Sequence, residues 1–459
     1  MLKPTGSPQA LSDPADEARA SALLTALSGP RAGLLREVSR PAIIDGDAPL
    51  FHVGARIANP HPLWEGHEGL LVGGAGTSPA QALLAAIGEA VERYHAACPD
   101  PRSLRRCSYE ELLRAGQRAI EPARFAPYSP AQRAQAGFPF ATPTAHTPLA
   151  WMPSEDLLSG QPCWVPAFAV FAMYDPGDTE PVFTPGVSTG LACHSDPNEA
   201  TRRALCECVE RDAANLHWLT RTPALPVPTQ RLLRLAGHAL PPRDRCAAWD
   251  LTPDADPHTD PHAAPSAAPS VALPVSMVLT RGSGPLGEIV AVGTACHPDP
   301  DLALLKASIE ASQTRVFNRL QLERDPHWQP APDGQNINDF GRHARAYCGR
   351  PRWLDEATAF LTSSRAVPAA PAAPIEHPTP LERLRPLCSE VCRIDLTQPW
   401  ARSLGLTVVR VLTPSLLPLH GDHRFPPLAH PRLQAWCAAA SARWGIPMGP
   451  DLRFPHPFP

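Results

Sequence analysis

Apolar positions along the chain follow two periods. SALLTALSGPRAGLLREV (21–38) carries leucines at helical spacing, and PAIIDGDAPLFHVGARI (41–57) reads as a strand, so a helix leading into a strand is expected there. Residues up to about Ala20 are expected to be disordered. QPCWVPAFAVFAMY (161–174) reads as strands, as do LPVSMVLTR and GEIVAVGTA, which flank a Gly-Ser-Gly turn at Gly282–Gly284 as a hairpin. GLTVVRVLTPSLLP (405–418) alternates like a buried strand. A short helix capped by Ser108 lies between Leu104 and Gly116. Strand, turn, capped helix is the repeating unit, which predicts an α+β fold with mixed or antiparallel sheets flanked by helices.

Three of these units resemble one another closely. In STGLACHSDPNEATRRALCECVERDAAN (188–215) Asp196 is a natural N-cap, Pro197 suits the first helical position, and Glu199 completes a capping box. Glu207, Glu210 and Arg211 then share one helix face. Upstream, GGAGTSPAQALLAAIGEAVER (73–93) sets Ser78-Pro79 ahead of Glu89, Glu92 and Arg93 at the same distance from the proline. Downstream, GTACHPDPDLALLKASIEASQTR (293–315) repeats the Gly-x-Ala-Cys-His-x-Asp-Pro of 190–197 and places Glu310 where Glu207 stood, followed by Gln313 and Arg315. One E-x-x-E-R is what a solvated helix face with an i,i+4 ion pair would give. Its recurrence at one offset from three similar turns is not explained by solvation. Carboxylates and arginines in such stripes suit a hard divalent cation bridging to a polyphosphate, with no Walker-type glycine loop present.

The remaining features narrow the setting. At 459 residues and a formal charge of −4 the chain has the size for one elaborate domain or two smaller ones and lacks a nucleic-acid footprint. The opening residues read as no targeting peptide and no run has membrane-spanning length, so a cytoplasmic protein is expected. The 12 cysteines are expected to be reduced. Cys206-x-Cys208 and Cys388-x-x-x-Cys392 read as buried small side chains, and no zinc is assigned. Proline, 59 residues in all, is concentrated in 252–274 and 363–380, read as insertions or linkers.

The E-x-x-E-R helix after GGAGTSPAQA, the STGLACH turn before E-x-x-E-R-D, and the E-x-x-Q-x-R helix together resemble the YcaO family of ATP-dependent peptide-modifying enzymes, over roughly 50–459. The resemblance divides the chain into an N-terminal helix with a disordered tail (1–49) and a catalytic domain (50–459) with a YcaO-like ATP-binding fold. It implies ATP and Mg²⁺ as cofactors. By it, Glu89, Glu92, Glu207 and Glu210 are metal-binding glutamates, and Arg93, Arg211 and Gln313 lie at the nucleotide with Ser188 and Glu199. Arg315 matches the third motif and is given a catalytic role.

Family members that form azoline rings end in P-x-P-x-P, and this sequence closes on Pro455, Pro457 and Pro459, which makes the Pro459 carboxylate a candidate for proton transfer or orientation. The implied reaction is cyclodehydration. A Cys, Ser or Thr side chain of a ribosomally made precursor peptide attacks the preceding amide carbonyl, the oxyanion takes the γ-phosphoryl of ATP, and phosphate leaves. The segment ahead of Leu50 is too short for a peptide-recognition domain, so a separate leader-binding protein is expected. The resemblance also admits a flavin dehydrogenase in the same pathway and a homodimer. Two rivals are a thioamide-forming enzyme, disfavoured by the tail motif, and a non-catalytic ATP-binding scaffold. Gly74-Ala75-Gly76 replaces the family's common Gly-Lys-Gly, and Ala86 its common Ser.

Overall fold

The computed structural model describes residues 13–29, 33–59, 70–175, 177–253, 273–362 and 379–459. Strands β1 (Leu35–Ser39), β2 (Phe51–Ile57) and β3 (Leu71–Gly76) form one sheet in that order. β4 (Arg105–Cys107), β5 (Leu149–Asp156), β6 (Gln161–Pro166) and β7 (Leu191–His194) belong to a second sheet. β8 (Leu225–Pro226), β9 (Arg245–Asp250), β10 (Val275–Gly284) and β11 (Gly287–Cys296) make a third. The second sheet is completed by β12 (Cys392–Asp395) and β13 (Thr407–Leu412), in the order β4-β5-β12-β13-β7 with β6 paired to β5. All pairings between these strands are antiparallel. The expected α+β class is observed.

Each sheet contributes one edge strand that runs into a site helix. β3 feeds the first site helix (Pro79–Ala97), β7 the central one (Pro197–Thr220) and β11 the third (Pro300–Arg324). Ser78, Asp196 and Asp299 cap them by accepting backbone N–H bonds, and proline occupies the first turn of each. Each site helix also packs on the strand of the next unit: the first on β7, the central on β11, the third on β3. The three units thereby close into a pseudo-threefold ring.

The central helix is the spine. From Ala204 to Thr220 nearly every residue is buried, including the polar Glu210, Asp212, Asn215 and His217, so the polar side chains of this stretch need partners inside the protein. Its core joins Val275, Met277 and Val292 of the hairpin, Val409 and Val411 of β13, and Phe454 and Phe458 near the end of the chain. Glycine lets strand and helix backbones approach: a Cβ on Gly74 would lie 2.4 Å from Ala82 O and Ala86 N, and one on Gly293 2.3 Å from Ala307 O and Ala311 N. Ala86 is therefore a packing residue, 1% exposed.

Several sequence expectations shift. The first helix spans Pro14–Leu27 and is capped by Asp13, so residues 14–20 are helical, and Leu35–Ser39 is strand where a helix was expected. Residues 161–174 are strand only to Pro166, after which Ala167–Val170 is a short helix. The β10–β11 turn falls at Pro285-Leu286, because the ladder continues to Gly284↔Gly287 and Gly287 (φ +118°) takes the conformation that glycine tolerates. Residues 1–12, and most of the Pro-rich segments at 252–274 and 363–380, lie outside the described residues. The paired cysteines stand in the core: Cys206, Cys208, Cys388 and Cys392 are all buried.

Candidate active site

Where the three helices meet, the first glutamate of each holds its own strand. Glu89 accepts from Gly73 N (2.9 Å), Glu207 from Gly190 N (3.0 Å) and Glu310 from Thr294 N (2.7 Å). The residue three positions later, one helical turn on, reaches the next unit. Glu92 accepts from Cys193 N at 2.6 Å, and Glu210 accepts from Cys296 N (3.2 Å) and Thr294 Oγ1 (2.7 Å). Gln313 completes the circuit beside Gly73, where an added Cβ would meet its Nε2 at 3.5 Å. Five carboxylates are thus fixed in their rotamers by backbone N–H groups, and one carboxamide stands at the remaining junction.

Arg211 sits among them. Its Nε is 3.7 Å from Glu210 and 4.0 Å from Glu207, its Nη2 is 3.9 Å from Glu310, and its Nη1 donates to an oxygen of Pro459 at 3.3 Å. Arg93 pairs with Glu89 at 3.3 Å. Ser188 lies half-buried in the turn ahead of β7, its carbonyl accepting from Leu191 N. That turn depends on Gly190 (φ +83°), whose Cβ would stand 2.2 Å from Val411 O.

Burial, and after it the crowding of like charge, leaves Glu92, Glu207, Glu210 and Glu310 reluctant to ionise. Burial, then the neighbouring Glu207, pushes Glu92 up to about 8, and burial followed by Glu210 pushes Glu310 up to about 8. Glu207 and Glu210 are raised by burial as well, against the pull of Arg211. Arg211 is held above its usual range: burial opposes its charge, but Glu210, Glu310 and Glu207 outweigh it. Among the described residues no three His, Cys, Asp or Glu side chains converge as a finished metal cage. Carboxylates in excess of arginines, each with an oxygen already on a backbone N–H, suit a Mg²⁺ ion that takes one or two carboxylates and completes its shell with water and phosphate oxygens. The donor set fits Mg²⁺ with a polyphosphate.

Two expected site residues are not brought here. Glu199 forms no capping box: its carboxylate holds Arg202 (2.6 and 2.7 Å) and Arg203 (2.8 Å), which keeps it at about 2, while Asp196 N donates to His194 Nδ1. Arg315 is 1% exposed and lies on another face, paired with Asp244 at 3.0 Å and Asp47 at 3.8 Å and donating to Ser283 O. It is two positions past Gln313, which is why its side chain leaves the shared stripe.

One residue was overlooked. Arg410 of β13 is buried, donates to Val187 O at 2.7 Å beneath the Ser188 turn, and feels the charge of Glu207. Burial lowers it to about 10. Its signal was an arginine inside an otherwise apolar strand. A cavity of about 100 Å³ lined by Tyr128, Phe168, Thr189, Cys208 and Arg410 adjoins this turn.

The closing segment is anchored rather than frayed. Trp218 Nε1 donates to Phe454 O (3.1 Å), Tyr347 to Pro455 O (2.6 Å), and Phe458 is 1% exposed. Arg221, in left-handed conformation at the end of the central helix (φ 54°), stacks on Trp218 and Phe454 and donates to Phe454 O.

Known proteins share this fold. Residues 73–417 match the family model described as YcaO cyclodehydratase, ATP- and Mg²⁺-binding. An uncharacterized protein in the tfuA 3′ region of Rhizobium leguminosarum bv. trifolii is 31% identical over 184 residues, 37% of this chain and 39% of that protein. Among solved structures, a heterocyclase in complex with substrate and cofactor has TM-score 0.67 at 20% identity, over 96% of this chain and 57% of that one. YcaO from Methanopyrus kandleri bound with AMPPCP and Mg²⁺ has TM-score 0.55 at 19% identity, covering 87% and 90%. The heterocyclase TruD has TM-score 0.56 at 20% identity, covering 82% and 50%, so this chain spans about half of each heterocyclase. The family match covers most of the sequence and begins at the glycine held by Glu89: the chain belongs to the YcaO cyclodehydratase family, whose ligands are ATP and Mg²⁺.

Proposed function

We propose that this chain is an ATP-dependent cyclodehydratase that converts Cys, Ser or Thr residues of a ribosomally made precursor peptide into azolines. The observation that carries the reading is Arg211, which touches three glutamates and the oxygen of Pro459 at once, linking the carboxylate ring to the P-x-P-x-P segment.

ATP, when bound, supplies the phosphoryl group that turns an amide oxygen into a leaving group. The residues of the chain position and neutralise. Glu89, Glu92, Glu207 and Glu210 are the Mg²⁺ ligands of this reading, directly or through water. Arg93 and Arg211 offer N–H donors to phosphate oxygens, with Ser188 and Gln313 at the rim of the same site. Pro459, held by Arg211, orients or accepts a proton from the attacking side chain.

The test is incubation with ATP, Mg²⁺ and a Cys/Ser/Thr-rich peptide encoded beside this chain, together with any companion protein encoded there. Loss of one water per ring by mass spectrometry, with matching phosphate release, is the expected result. Phosphate release that never depends on peptide, or peptide that gains sulfur in place of oxygen, would overturn it.

A further inference from the structure

The residue between Pro455 and Pro457 carries a feature that the reaction does not use. His456 is 1% exposed and stacks face to face on His343 (3.8 Å between ring centres), with His420 4.8 Å away and His423 6.0 Å from His343. All four imidazoles are buried.

Their partners set their protonation. His343 Nδ1 bonds His456 O at 2.9 Å, and His456 Nε2 bonds His420 O at 2.6 Å; a carbonyl only accepts, so those nitrogens carry the protons. His456 Nδ1 accepts from Phe458 N at 3.3 Å. A proton added there would face a donor. His343 Nε2, His420 Nδ1 and His423 Nδ1 are buried without a hydrogen-bond partner among the described residues, so a proton on any of them would have no acceptor. Charge from the surrounding elements does not compensate. The carboxylate acting on His343 and His423 is Asp422, which is already held by Arg424 (2.6 and 2.9 Å). Asp451 is taken by Arg453 and Arg221, and Arg221 disfavours charge on His423.

We propose that docking of the segment 454–459 is gated by protonation: neutral imidazoles clamp His456 between His343 and His420, and acid releases the segment, withdrawing Pro459 from Arg211. The gate is independent of what reaction the site performs.

The sign follows from burial. Burial lowers His343 to about 3 and takes His420 and His456 well below their ordinary value of 6.5. Released, His343 and His456 titrate near about 6.5. Docking is therefore at full strength above that pH and weakens below it, about tenfold per pH unit for each proton taken up. Two protons give about a hundredfold per unit.

Hydrogen exchange by mass spectrometry on the full chain between about pH 7.5 and 5, corrected for the intrinsic rate, reads this directly. The amides of Phe454, His456 and Phe458 are expected to lose protection about a hundredfold per unit below about pH 6.5, while the β10–β11 hairpin keeps its own. In His343→Phe, which preserves an aromatic plate but takes up no proton, the slope should fall to about tenfold per unit. Tail protection that stays constant until the hairpin opens with it, or an unchanged slope in His343→Phe, would overturn the proposal. If His343→Phe does not fold, the wild-type comparison of tail and hairpin decides alone.

Discussion

The Glu92 carboxylate accepts the amide N–H of Cys193 at 2.6 Å, tying the first site helix to the strand that leads into the second. Glu210 makes the equivalent bond to Cys296, and Gln313 stands at the third junction beside Gly73. Backbone amides thus preset one oxygen of each bonded carboxylate before any ligand arrives, the kind of preorganisation that lets binding energy go to the ligand rather than to rotamer ordering.

Burial and crowding of Glu92 and Glu310 predict a pH effect with a definite sign. Glu92 and Glu310 are raised to about 8, so folding favours their protonated forms; that contribution is full below the ordinary carboxylate value of 4.5 and is lost as pH rises toward 8. The melting temperature of the ligand-free chain should fall across this window, and Mg²⁺ with a non-hydrolysable ATP analogue should flatten the dependence. Calorimetry at a series of pH values checks it. A dependence that ligand leaves untouched would place the effect elsewhere.

Gly190→Ala should strike both fold and site. The new Cβ meets Val411 O at 2.2 Å and the residue must hold φ +83°, so a cost of about 1–3 kcal/mol is expected. Because Gly190 N is the partner of Glu207, nucleotide affinity should fall further than stability accounts for, as titration at a temperature well below the melting point will show.

Arg315 should behave as a structural residue. Its removal in Arg315→Ala strands Asp244, while Asp47 keeps Arg319, a loss of about 3–5 kcal/mol for a broken buried pair. Nucleotide affinity of the fraction that remains folded should match the wild type. Weakened binding with unchanged stability would return Arg315 to the site.

Removing residues 455–459 should cost stability as well as chemistry, because Phe458 is core. Phe458→Ala alone is expected to cost about 3–5 kcal/mol in denaturant unfolding.

The site was largely legible in the sequence because its geometry is local: Glu207, Glu210 and Arg211 share a face by helical period alone, and a repeated Pro-to-Glu distance gave the depth. Glu199 misled because a capping box and an i,i+3 or i,i+4 ion pair draw on the same residue, and two arginines at 202 and 203 outbid one backbone amide. Arg315 misled because two positions on a helix turn a side chain to another face. The junctions Glu92–Cys193 and Glu210–Cys296 depend on which strand each helix meets across 101 and 86 residues, which no local period encodes. Arg410 was visible only as an oddity in a strand. The first turns of the N-terminal helix carry no leucine, its buried residues being Ala20, Leu23 and Leu27, so the apolar period marks only its later turns.

The central claim is that this ring of glutamates binds ATP through Mg²⁺, and Glu207→Gln/Glu210→Gln tests it most directly. The amides preserve shape and can still accept from Gly190, Thr294 and Cys296, so folding should survive. Titration with a non-hydrolysable ATP analogue is predicted to show Mg²⁺-dependent binding in the wild type and at least about a hundredfold weaker binding in the double variant at matched melting temperature, since the cation requires carboxylate charge. Wild-type affinity in the folded double variant would contradict the account.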